Sequence, residues 1–129
     1  MAHPNVDLLR NDYDAFGKGD LDTVRASFTD DMVAHIGGKS PISGEYKGPD
    51  AVLEFFGQLF ERSGGTFAVE VHSVLADDEH GAVLSKQTAQ RDGKTLESNS
   101  VELFHFRDGK ISEFWGLSED QSAEDQFWS

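Results

Sequence analysis

A chain of 129 residues with a formal net charge of −13 fits a single domain, and its acidity opposes phosphate backbones and anionic lipid. With no cysteine it has no disulfide, no thiol nucleophile and no thiolate metal site. No run approaches the roughly 18 apolar residues of a membrane span, and MAHPNVDLLRND lacks a signal-peptide pattern. The expectation is a cytoplasmic protein, spanning residues 1–129 as one domain, with no nucleic-acid or membrane partner.

In chain order, Pro4 suits a first helical turn, and Val6, Leu9, Tyr13 and Phe16 recur at helical spacing until Gly17 and Gly19. Asp20 can cap a second helix whose apolar positions are Leu21, Val24 and Phe28. Met32–Ile36 reads as a short strand carrying His35. A glycine- and proline-rich crossing of about twelve residues follows without periodicity of its own, and loops of that length are often functional. Gly48-Pro49-Asp50 opens a third helix with Val52, Phe55, Phe56, Leu59 and Phe60 on one broad face, and Ser63-Gly64-Gly65 stops it.

The second half changes period. Phe67–Ala76, Ala82–Gln90, Thr95–Phe106 and Lys110–Leu117 read as strands. Arg91-Asp92-Gly93-Lys94 and Arg107-Asp108-Gly109-Lys110 are hairpin turns, because Asp-Gly supplies the positive φ that a tight turn needs. Three helices followed by an antiparallel meander give an α+β class. The acidic tail over residues 118–129 ends in Phe127-Trp128, which leaves two readings: disorder, or a clip onto the body or a second subunit.

The order helix–helix–strand–crossing–helix–four strands resembles the cone-shaped, cystatin-like fold of the nuclear-transport-factor-2-like superfamily. Within it, the SnoaL-like polyketide cyclases and ketosteroid isomerases are the nearest likeness. Its carriers are Gly19-Asp20-Leu21-Asp22, Phe28-Thr29-Asp30-Asp31, Tyr46-Lys47-Gly48-Pro49-Asp50-Ala51 and the closing Phe104–Ile111 hairpin. The resemblance implies three N-terminal helices packed on a curved, mainly antiparallel sheet, a pocket at the open end, and a homodimer through the sheet's outer face. It also implies positions. The isomerases' general-base aspartate falls on His35, their second acid on Glu102, and their oxyanion-hole tyrosine on Asp12, with Tyr13 beside it. The base therefore changes type, the acid lengthens by a methylene and the phenol moves one residue. The cyclases, whose acid/base carboxylate sits near Glu102, are the closer comparison.

Alternation places Ser98, Ser100, Glu102, Phe104 and Phe106 on one strand face. A glutamate in line with phenylalanines is costly to bury as a carboxylate, so in an apolar cavity it would hold its proton and donate a hydrogen bond; on the other register it is a solvated residue. His35 offers an imidazole with an ordinary pKa of about 6.5, as a base or as a hydrogen-bonded structural group. Asp12, at the edge of the first helix's stripe, is a solvated flank or the carboxylate that orients His35. Tyr13 is an alternative donor or a core aromatic. The pocket wall implied by the resemblance comprises Tyr13, Phe56, Phe60, Ser85, Gln87, Ser98, Ser100, Phe104 and Phe114, more polar than a steroid would want.

The five histidines have no metal-site spacing, and neither a phosphate loop nor G-x-S-x-G occurs. No metal and no cofactor is expected. The leading reading is a cofactor-free acid/base enzyme, isomerase- or cyclase-like, acting on a small oxygenated carbonyl compound through His35, Glu102 and Asp12. Its rival is a non-catalytic small-molecule-binding or dimerisation module. Epoxide hydrolysis, also housed on this fold, needs an Asp–Arg pair that the arginines, placed at helix flanks and turns, do not readily form.

Overall fold

The computed structural model describes residues 3–129. Helices α1 (Pro4–Gly17) and α2 (Leu21–Ala26) lead into β1 (Phe28–Ile36), β2 (Gly44–Lys47) and α3 (Pro49–Arg62). Strands β3 (Ala68–Ala76), β4 (His80–Arg91), β5 (Lys94–Arg107) and β6 (Lys110–Ser118) follow, and α4 (Gln121–Trp128) closes the chain. The strands make one sheet in the order β2-β1-β6-β5-β4-β3, antiparallel except where β1 runs parallel to β6. The class is α+β.

Local chemistry fixes the punctuation. Asp92 and Gly93, and likewise Asp108 and Gly109, hold positive φ at both positions (50° and 78°, 53° and 77°), the geometry that matches hairpin twist. Asp20 caps α2 by accepting from the Thr23 N–H at 3.2 Å. Pro4 and Pro49 sit in first turns, where a missing N–H costs nothing.

Three elements differ from the sequence expectation. Strand β1 begins at Phe28 rather than Met32, because Phe28 pairs with Ile111 before a register irregularity turns Asp30 and Asp31 to solvent. Those two acids disguise the strand as a loop; Arg107 meets Asp31 at 2.5 Å. The crossing contains β2, paired with β1 through His35–Glu45 and Val33–Lys47. The tail forms α4, so the three expected helices become four.

Helix α4 is a docked element. Asp120 caps it by accepting from the Ala123 N–H at 3.1 Å, and Phe127 and Trp128 are each only 3% exposed. Trp128 packs on Phe67 with ring centroids 6.0 Å apart. At its C-terminus, Arg91 donates to the Phe127 and Ser129 carbonyls (3.1 and 2.7 Å) and Lys94 to that of Gln126 (3.0 Å), cations placed where a helix presents unpaired carbonyls. The tail's aromatics thus pack on the chain's own body.

The core lies between the helices and the sheet's inner face. Leu9, Met32, Val52, Val83 and Ile111 centre one cluster, and Phe55, Leu59, Phe67 and Trp128 a second, towards α4. Among the described residues no helix is long and apolar enough to cross a membrane. Trp128→Ala should destabilise the fold by about 3–5 kcal/mol in urea denaturation followed by circular dichroism; a loss under about 1 kcal/mol would place α4 outside the cooperative core.

Candidate active site

Strand β5 supplies the floor. Leu96, Ser98, Ser100, Glu102, Phe104 and Phe106 alternate onto the inner face and are all buried, as the period-two pattern requires. Above them, α1, α3 and α4 enclose a cavity of about 130 Å³. A cavity of about 150 Å³ holds one benzene ring, so the interior space here takes about one ring. Its walls are mostly aromatic and aliphatic, interrupted by Asp12, Tyr13, Ser40, Gln87, Glu102, Gln121 and Glu124.

Glu102 is 8% exposed. Its Oε1 accepts from the Tyr13 hydroxyl at 2.6 Å and from Ser85 Oγ at 3.1 Å, and Ser85 Oγ lies 2.8 Å from Ser100 Oγ. Its Oε2 is buried without any hydrogen-bond partner. Burial raises the carboxyl's pKa, and the hydroxyls of Tyr13, Ser100 and Ser85 pull it partway back. Burial, and then the charge of Glu102, push the Tyr13 phenol well up, so it remains a donor. The Tyr13 ring meets Phe104 edge-on at 6.4 Å. Because Oε1 is occupied by two donors, a proton on Glu102 belongs on Oε2.

Asp12 is 7% exposed, the inward of the two readings open to it at the edge of the helical stripe. The buried stripe of α1 runs Asn5–Leu9–Asp12–Ala15, rotated from Val6–Leu9–Tyr13–Phe16, so Asp12 faces inward and Tyr13 flanks it. The Ser27 hydroxyl touches both Asp12 Oδ2 and, at 2.7 Å, the Val24 carbonyl. One hydroxyl proton serves only one of these acceptors. Both contacts are hydrogen bonds when Asp12 carries a proton and donates to Ser27. Burial raises Asp12 to about 6 against that Ser27 contact. Glu124, half-buried on α4, is pushed to about 7, first by burial and then by the charges of Glu102 and Asp125.

The expected site residues separate into three groups. Asp12, Tyr13, Phe56, Gln87, Glu102, Phe104 and Phe114 line the cavity. Ser85, Ser98, Ser100 and Phe60 lie behind its surface: Ser85 and Ser100 support Glu102, Ser98 bonds Ser118 at 2.9 Å, and Phe60 packs on Phe16 at 5.0 Å. His35 is on the other side of the sheet. Met32 and Ala34 are fully buried, so alternation turns His35 outward, where it stacks on Trp115 (5.1 Å) and meets Glu113 at 2.6 Å. The expected His35–Glu102 pairing, and the Asp12–His35 pairing with it, are thus corrected: the sheet's thickness separates the imidazole from both acids.

Glu124, Gln121 and Trp128, together with the segment around Gly37, Ser40 and Ile42, line the cavity without having been expected there. For α4 a signal existed, an Asp120 cap ahead of the Phe127-Trp128 pair, in a segment whose acidity reads as solvated tail. Among the described residues no group of three or more His, Asp or Glu side chains is arranged to hold a metal ion.

Residues 9–114 match the SnoaL-like domain. The chain belongs to that family. An uncharacterised protein of Mycobacterium tuberculosis is 28% identical over 127 residues, covering 97% of this chain and 96% of its own. Among solved structures, Bal32a from a soil-derived mobile gene cassette is 32% identical, with a TM-score of 0.95 over 99% of this chain and 98% of its own. A protein of unknown function with a cystatin-like fold from Xanthomonas campestris is 31% identical, with a TM-score of 0.90 over 100% and 99%. The superfamily resemblance read from the sequence therefore stands, and the fold places the pocket between sheet and helices.

Within this SnoaL-like domain the raised acids have a cost at neutral pH. A carboxyl whose folded value exceeds its unfolded one favours the fold below the unfolded value, and that benefit is lost as pH rises through the folded value. For Asp12 the window runs from 3.8 to about 6. Asp12→Asn should therefore gain about 3 kcal/mol relative to the parent between the acid and alkaline sides of that window, read from urea titrations on either side. A difference that does not change with pH would mean Asp12 ionises as freely as in the unfolded chain.

Proposed function

We propose that this SnoaL-like domain is a cofactor-free acid/base enzyme of the isomerase or polyketide-cyclase type, moving a proton α to the carbonyl of a small oxygenated compound held in the pocket. One observation carries the reading: Glu102, buried on an apolar face, keeps Oε1 saturated by Tyr13 and Ser85 while Oε2 has no protein partner. A neutral Glu102 donates from Oε2 to a substrate carbonyl and stabilises the developing enolate. Asp12, at about 6, is mostly ionised at neutral pH and serves as the base, replacing the role first expected of His35. Tyr13 orients Glu102.

A β,γ-unsaturated cyclohexenone, one ring in size, tests this by its conversion to the conjugated isomer, followed by ultraviolet absorbance. Glu102→Gln and Asp12→Asn should each lower kcat by about 10²–10⁴-fold, and Tyr13→Phe by a smaller factor. If the ketone binds yet neither isomerises nor exchanges its α-protons with deuterium, the passive binding module is the better account.

We also infer a homodimer through the outer face of the sheet, as the family resemblance implies. That face exposes Leu75, Leu84, Leu103 and Leu117 by 40–57%, and cross-strand register sets Leu103 beside Trp115 and Ala82. Contiguous apolar surface of this kind marks an interface. Light scattering behind size-exclusion chromatography should report twice the chain mass, and Leu103→Asp should halve it; a parent protein already at the single-chain mass overturns the inference.

A further inference from the structure

The cavity contains an asymmetry of charge that proton transfer to a carbonyl does not use. Three carboxyl groups reach it, Asp12 and Glu102 from α1 and β5 and Glu124 from α4, while among the described residues no lysine, arginine or histidine lines it. Tyr13 is the remaining titratable group in the lining. The elements α2, α3, β1, β3, β4 and β6 present no charged side chain to it. The cations nearest α4, Arg91 and Lys94, are bonded to main-chain carbonyls at that helix's end. Next to Glu124, Asp125 adds a further negative charge, and only the Ser118 hydroxyl moderates it.

We propose that the substrate of this pocket is a compact, single-ring carbonyl compound bearing a basic nitrogen, with its ammonium group held by Glu124 and its carbonyl at Glu102. The inference rests on the cone pocket being the ligand site, as in the proposed function, and adds the class of compound. Glu102 Oε2, buried and unpartnered, marks where a ligand's polar atom belongs. Glu124 stands across the same cavity with no salt-bridge partner among the described residues.

A bound cation supplies the compensation that the pocket lacks. In its absence, burial above all, with Asp125 beside it, makes Glu124 take a proton from water near neutral pH. An ammonium group replaces that proton, so binding expels it to solvent. Aromatic walls reinforce the choice: Phe56, Phe104, Phe114 and Trp128 line the cavity, and ring faces attract cations once water is excluded. An anionic ligand would meet the carboxylate of Asp12 and find no cation among the described lining residues to offset it. A neutral ligand would leave Glu124 protonated or repelled. The acidic surface, at −13 overall, also steers cations towards the protein.

Benzylamine, benzyl alcohol and benzoate share one ring and differ in charge, and calorimetry of each against the full-length protein provides the test. Benzylamine should bind at least tenfold tighter than benzyl alcohol on the alkaline side of neutrality, and benzoate should not bind. Its affinity should fall at least tenfold on moving about two units to the acid side, and calorimetry in buffers of different ionisation enthalpy should register proton release. Glu124→Gln should bring benzylamine binding down to that of benzyl alcohol and remove the proton release. Equal affinity for amine and alcohol, no benzylamine binding, or a preference that survives Glu124→Gln overturns the proposal. The cyclohexenone assay separates the two claims. Turnover without amine preference keeps the acid/base reading and removes this one; amine binding through Glu124 without turnover does the reverse.

Discussion

Burying a carboxyl group against phenylalanine is the constraint on which the candidate site depends. Glu102 lies in register with Phe104 and Phe106 on a face that is otherwise core, and its ionisation is opposed by burial. Three hydroxyls, from Tyr13, Ser85 and Ser100, moderate that cost. They also explain features that look unrelated in the sequence: why β4 and β5 place serines directly opposite each other at Ser85 and Ser100, and why α1 brings a tyrosine to this level. The arrangement satisfies one carboxyl oxygen and leaves the other buried without a partner.

The overall fold was legible because its punctuation is local. Asp-Gly turns, proline at first helical turns and an aspartate cap each act within a few residues, and the element order followed from them. On β5 the alternation of serine, glutamate and phenylalanine was legible but admits two registers, and only burial in the folded chain selects the one that puts Glu102 inside. On β1 both faces are mixed: Met32, Ala34 and Ile36 on one side, Val33 and His35 on the other. Alternation there carries little information, and the face of His35 is decided by what packs over Met32 and Ala34, which is a tertiary fact.

Asp12 and α4 were hard to read for a shared reason: both use acidic residues where acid ordinarily signals solvent. On α1, an apolar stripe drawn through Val6 and Tyr13 is as regular as the observed one through Asn5 and Asp12, and only Ser27 at the end of α2 gives Asp12 a reason to be inside. On α4, charge hid a helix whose hydrophobic contribution is concentrated in its last two residues. The pocket is therefore closed by the segment with the weakest sequence signal.

The expected histidine base and the observed carboxyls address the same chemical requirement from opposite directions. Imidazole titrates near neutrality without help, whereas a carboxyl reaches that range only when its charged form is deprived of water. In this chain burial brings Asp12 to about 6 and Glu124 to about 7, so an apolar cavity confers on carboxyls the window that a histidine would have brought unaided. A protein with 24 acidic residues and five histidines need not recruit the rarer group. The histidines His35 and His105 instead meet Glu113 on the outer face, beside Trp115. The sheet thus keeps Glu102 on its inner face, where burial raises its carboxyl, and carries His35 and His105 on the outer one.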